Sequence, residues 1–153
     1  MDFLQNQILI YTSKKYENIY VHFKEKYDFS YYKLFLFCAS IGSRYNRKST
    51  VVDKGREFRS NYFSNDERQL AYSILINDDN ILNKDIDVFN NKDFALESRK
   101  ILEAYAEGGM DIIVENVFSE KWDGYKLDEN YSDYPIDLIE FTMTTIKEVP
   151  FWF

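Results

Sequence analysis

Six cations gather in one short stretch of the chain: Arg44, Arg47, Lys48, Lys54, Arg56 and Arg59, opposed there only by Asp53 and Glu57. Tyr45 and Phe58 are interleaved with them. Cations alternating with aromatic rings can track a nucleic-acid backbone, the cations on phosphates and the rings on bases. The same cations could instead pair with the chain's own acids or a partner's, or form a solvated loop. The stretch 43–59 carries a net +4 within a chain of net −7, so the remainder carries −11. From residue 103 onward, twelve acids face three lysines. An overall negative field repels DNA, which sets direct nucleic-acid binding behind protein contact.

Other residue types that do chemistry are scarce. His22 is the only histidine, so a zinc site needing two imidazoles one helical turn apart is excluded. It lies beside an apolar stripe among lysines and reads as a solvated or partly packed surface residue. Cys38 is the only cysteine, which excludes an internal disulfide. Inside Leu34-Phe35-Leu36-Phe37-Cys38-Ala39 it reads as a buried, inert thiol. No glycine-rich phosphate loop is present, and no Asp or Glu stands two positions before any lysine, as many metal-dependent nucleases require. Asp85 and Asp87 have the spacing that opens a calcium loop, but its glycine and terminal glutamate are missing. No catalytic residue, metal or cofactor is expected, and no reaction is legible in these residues. Phe151-Trp152-Phe153 is either tucked into the core or a partner anchor, because aromatic residues dominate many interfaces.

These side chains must be positioned by a mostly apolar frame. Aromatics make up 18% of the 153 residues, 13 Tyr and 13 Phe among them, enough to build a core despite a mean hydropathy of −0.48. Five glycines and two prolines are few for a many-turned β protein. The expected fold is all-α: a single domain over 1–153, built as one bundle of five to six helices with a short extended piece near 49–52. No basic, apolar leader opens the sequence and no apolar run approaches membrane-spanning length, so a soluble, cytoplasmic protein is expected.

Apolar spacing places the helices. Residues 1–12 suit a short helix or an early strand. Ser13 is a candidate N-cap for a helix to about Lys26, with Tyr16, Ile19, Tyr20 and Phe23 inward. Ser30 opens a second helix to about Tyr45, apolar on every side from Leu34 to Ala39 and therefore central, with a buried strand as the competing reading of so short a run. Its Ala39-Ser40-Ile41-Gly42 would admit a second helix closely. Ser64, with Asp66 and Glu67 following, opens a third helix ending near Asn77. Residues 77–91 read as a polar loop with one turn around Ile81-Leu82. The stretch from Lys92 to Phe118 carries Phe94, Ile101, Leu102 and Tyr105, then Met110, Ile113, Val114, Val117 and Phe118. Gly108-Gly109 between those sets predicts a hinge separating two helices. Pro135 opens a last helix to about Lys147, with Ile136, Ile139, Met143 and Ile146 inward.

Phe37-Cys38-Ala39-Ser40-Ile41-Gly42, Arg56-Glu57-Phe58-Arg59 and Leu102-Glu103-Ala104-Tyr105-Ala106-Glu107-Gly108-Gly109, in that order, resemble the small proteins encoded beside bacterial DNA phosphorothioation genes, the Dnd-system-associated families. The likeness covers about residues 34–118. Here Cys38 and Ser40 interrupt the family's alanine run, and Glu107 replaces an Asn. The resemblance implies a helical accessory protein of a defence or DNA-modification operon and carries over no catalytic residue. The function expected is a non-enzymatic accessory subunit of a bacterial anti-phage defence complex, docking a larger ATPase or nuclease through protein contacts. The alternative is a nucleic-acid binder using the basic stretch.

Overall fold

A computed structural model describes residue 4, residues 7–81 and residues 92–148, with backbone alone for Lys92 and for residues 145–148. In chain order its elements are β1 (Leu9–Ser13), α1 (Glu17–Tyr27), α2 (Tyr31–Arg44), β2 (Lys54–Arg59), a 3-10 turn (Ser60–Tyr62), α3 (Asn65–Ile76), α4 (Lys92–Asn116) and α5 (Tyr134–Glu148). The architecture is mostly helical, as expected, but not strictly all-α. β1 and β2 form a two-stranded antiparallel sheet with Leu9 opposite Arg59 and Ile10 opposite Phe58.

The sheet departs from the expectation in place as well as kind. The extended segment is 54–59, and residues 49–52 form a loop. Lys54-Gly55-Arg56-Glu57-Phe58-Arg59 looks too polar for a strand because only Phe58 is buried. Its stability comes from the partner strand, which satisfies its backbone groups, a contact across more than forty residues that no local pattern reveals. Ser13 therefore ends β1 and does not cap α1, whose N-cap position is Tyr16 with no side-chain cap. The predicted inward face holds, with Tyr16, Ile19, Tyr20 and Phe23 all buried.

α2 and α4 pack most extensively against each other and form the centre. α2 buries Leu34, Phe35, Leu36, Cys38, Ala39, Ile41 and Gly42, which matches its all-round apolar sequence. The predicted hinge at Gly108-Gly109 is absent: α4 runs unbroken through both glycines. They serve close approach instead. A Cβ on Gly109 would collide with the carbonyl oxygen of Cys38, one on Gly42 with that of Tyr105, and one on Gly108 with that of Arg47. A glycine inside a helix costs about 1 kcal/mol relative to alanine, and the close packing of two backbones offsets it.

α3 begins as its sequence dictates. The Ser64 hydroxyl accepts from the Glu67 amide at 3.2 Å, and the Glu67 carboxylate accepts from the Ser64 amide at 2.8 Å, a complete capping box. α5 is rotated away from the expected face. Tyr134 and Leu138 are buried, while Ile136, Ile139 and Met143 are more than half exposed. α5 carries apolar residues on two sides, so periodicity alone cannot fix its rotation. The Tyr134 ring decides it by stacking edge-on against Phe118 at 5.1 Å, with its hydroxyl donating to the Asp128 carbonyl at 2.8 Å. His22 is buried in the same cluster, edge-on to Tyr134 at 5.4 Å, not solvated. Burial and the nearby Lys26 push its pKa down. A second aromatic cluster, Phe35, Phe58 and Phe63, ties the sheet to α2. Cys38 is fully buried, and that burial pushes its thiol up. Leu82, Asp85, Asp87 and Phe151-Trp152-Phe153 lie outside the described residues, as does the Ile146 side chain.

Candidate functional site

The basic stretch unfolds across three elements, which sends its cations to different partners. Arg44 is half-buried at the end of α2. Arg47 forks onto Glu115 of α4 with two hydrogen bonds of 2.8 Å, and lies 3.8 Å from Asp111. Paired charge-assisted bonds of this geometry are among the stronger polar contacts, and the Arg47 fork holds Glu115 below the usual carboxylate range. Lys48 donates to Asp78 at 2.8 Å. Asp78 is completely buried just after α3 and also accepts from the Tyr105 hydroxyl at 2.6 Å and the Asn80 amide at 2.9 Å. Burial pushes the Asp78 pKa up, but the bonds from Lys48, Tyr105 and Asn80 outweigh it and hold the group below its ordinary value.

On β2 the ammonium of Lys54 sits 4.3 Å over the Tyr11 ring. Arg56 reaches Glu17 at 3.4 Å, and Arg59 donates to the Gln7 side chain at 3.2 Å. Arg47 and Lys48 are thus brought to acids of the C-terminal half and of the α3 end, while Lys54, Arg56 and Arg59 meet the N-terminal segment. The six do not converge on one concave surface. Among the expected pairings, that of the basic stretch with acids in the C-terminal half is present in Arg47 with Glu115.

A polar cleft of about 550 Å³ lies beside this region, lined by Ser13, Lys15, Thr50, Asp53, Glu107 and Asp111, with Tyr125 among its other walls. Sequence reasoning did not single it out. Asp111 accepts from the Tyr16 hydroxyl and, at 2.6 Å, from the Ser49 hydroxyl. Glu107, one helical turn earlier, is buried, and burial raises its pKa to about 7, with the Asp111 charge adding to the rise. The only sequence signal was two acids four apart on the inward face of a helix. Chemically this cleft could bind or release a proton near neutrality. Among the described residues no group of three or more His, Cys, Asp or Glu is placed to hold a metal ion.

A second concavity, about 420 Å³ and apolar, opens between α1, α2 and α5. Phe23, Tyr27 and Phe37 form one side, and Leu138, Ile139 and Met143 the other. The stretch between α4 and α5 is acidic and exposed at Glu120, Asp123, Asp128, Glu129 and Asp133. No described helix is long and apolar enough to cross a membrane.

Compared with known families, residues 11–126 match the family model described as DNA sulphur modification system-associated protein 4. No curated protein and no solved structure matches the chain. The matched span begins within β1, holds β2, α1 to α4 and the whole basic stretch, and ends before α5.

Proposed function

The chain belongs to the family of DNA sulphur modification system-associated protein 4, and from that membership we propose that it is a non-enzymatic accessory subunit of a bacterial anti-phage defence complex. It works by protein contact with a larger ATPase or nuclease of the same system. The observation that carries this reading is the internal engagement of the cations in the basic stretch. For Lys48 to hold a phosphate it would have to leave the buried Asp78 carboxylate, and taking one partner from a buried acceptor costs about 1–3 kcal/mol. Arg47 would likewise forfeit its two bonds to Glu115. Direct nucleic-acid binding is therefore the weaker reading, supported by the exposure of Lys54, Arg56 and Arg59 on β2.

The acidic, exposed stretch between α4 and α5 is the surface best suited to meet a basic face on the partner. The test is a pull-down of the tagged chain expressed with its native operon, with and without nuclease treatment. A partner retained at fixed stoichiometry after nuclease supports the proposal. A complex that dissolves on nuclease treatment overturns it in favour of nucleic-acid contact.

A further inference from the structure

The polar cleft beside the basic stretch is graded from its depth to its mouth. Ser13 and Glu107 lie deep, 2% and 7% exposed, while Lys14, Lys15 and Tyr125 stand at the rim, with Tyr125 85% exposed. The pairing of β1 with β2 slips between Tyr11 and Ser13, the kind of break that re-aims a side chain. The Ser13 hydroxyl has no hydrogen-bond partner of ordinary geometry among the described residues, although it lies near enough to Glu107 to favour that carboxyl's charged form. Asp111, by contrast, already accepts from Tyr16 and Ser49. Buried hydroxyls are normally satisfied, and this one opens onto a cavity beside a buried carboxyl. We propose that the cleft binds a free guanine nucleotide, with the base edge on Glu107 and Ser13 and the phosphate at Lys14 and Lys15.

Each end of the cleft selects its half of the ligand. A carboxylate accepts two parallel N–H bonds where a planar group offers them side by side. Guanine does so with its ring N–H and its amino group, whereas adenine and cytosine set an acceptor beside theirs. Two ammonium groups at the mouth suit a phosphate. The Lys15 ammonium lies 4.0 Å from Asp111, one turn of α4 beyond Glu107, so the two ends stand apart. A free amino acid, with its ammonium and carboxylate on one carbon, cannot answer both. The exposed Tyr125 ring offers a face on which a base stacks. The volume of about 550 Å³ falls within the range of small-molecule sites, about 300–1,000 Å³. Glu107 must be ionised to accept both bonds, and burial raises its pKa to about 7. Around it, burial pushes the Tyr16 and Tyr20 hydroxyls and the Cys38 thiol up, and the charges facing it are Lys15 and Asp111. The proposal is independent of the accessory-subunit reading, since it concerns the isolated protein.

Calorimetric titration of the full chain with guanosine monophosphate checks this. Saturable binding at a single site is expected at pH 8, with adenosine monophosphate weaker by at least about ten-fold. Because only the ionised carboxyl accepts both bonds, affinity for the guanine nucleotide should fall about ten-fold between pH 8 and pH 6. E107Q should lose the preference for guanine and the pH dependence together. K14A/K15A should weaken the monophosphate several-fold and leave guanosine binding unchanged. No binding at about 1 mM nucleotide overturns the proposal, as does equal affinity for the two nucleotides or a pH dependence that persists in E107Q. Tighter, Glu107-dependent binding of a guanine-containing trideoxynucleotide also overturns it, assigning the cleft to a nucleic-acid strand. If E107Q does not fold, S13A takes its place: weakened guanosine monophosphate binding supports the proposal, and unchanged affinity overturns it.

Discussion

Two buried carboxylates answer their burial in opposite ways. Asp78 remains an anion because Lys48, Tyr105 and the Asn80 amide supply hydrogen bonds that compensate for lost water. Replacing Lys48 by Met should therefore destabilise the protein by about 1–3 kcal/mol. The further change D78N should recover much of that loss, and urea titrations of the single and double variants check both outcomes. For Glu107 burial outweighs what the Ser13 hydroxyl and the Lys15 charge offer against it, and its pKa rises to about 7. Because the folded state holds this proton more tightly than the unfolded chain, stability from this group falls as pH climbs from about 4.5 through 7 and levels off above. A rise of that size corresponds to roughly 3 kcal/mol. E107Q should flatten this slope in denaturation curves collected between pH 5 and 8, and an unchanged slope would show that another group is responsible. Neither environment is legible in the sequence, since Lys48 and Asp78 are 30 residues apart and the walls of the Glu107 cleft come from as far apart as Ser13 and Tyr125.

At the scale of elements, the crossing of α2 and α4 is where helix propensity and packing disagree. Gly→Ala inside an exposed helix gains about 1 kcal/mol. At Gly109 the new methyl group would meet the Cys38 carbonyl, a backbone atom that cannot move aside alone. G109A should instead lose at least about 2 kcal/mol, a reversal of sign readable by thermal or urea unfolding. A stabilised G109A would mean that the two helices do not approach as described. The start of α3 offers a milder test: S64A removes one half of the capping box and should cost about 1 kcal/mol, without altering α2 or α4. Local chemistry sufficed for α3, because a capping box is written within four residues. It failed for the glycine pair, since a hinge and a close contact use the same residue type for different reasons. It failed again for the rotation of α5, whose two apolar sides compete until Tyr134 meets Phe118.

For the whole molecule, the uneven charge of the sequence becomes a division of labour. Arg47, Lys48, Lys54 and Arg56 engage the fold's own acids and rings while staying partly exposed, and the acidic stretch from Glu120 to Asp133 remains on the surface. The isolated protein should therefore leave a labelled DNA duplex unshifted even at low salt, where electrostatic binding is strongest. E120K/E129K, at two exposed positions of this stretch, should reduce recovery of the partner in the operon pull-down with little change in the chain's own stability, and undiminished recovery would move the docking surface elsewhere. By itself the sequence determined that the chain is mostly helical and that α2 is central. It also determined where α3 starts, the family to which the chain belongs, and the absence of a histidine pair or cysteine set for zinc. Those are properties of composition, of spacing within one element, or of residue types that are simply missing. Only the tertiary structure decided the two-stranded sheet, the unbroken α4, the side of α5 that faces inward and the partners of the basic stretch, because each depends on contacts between residues far apart in the chain.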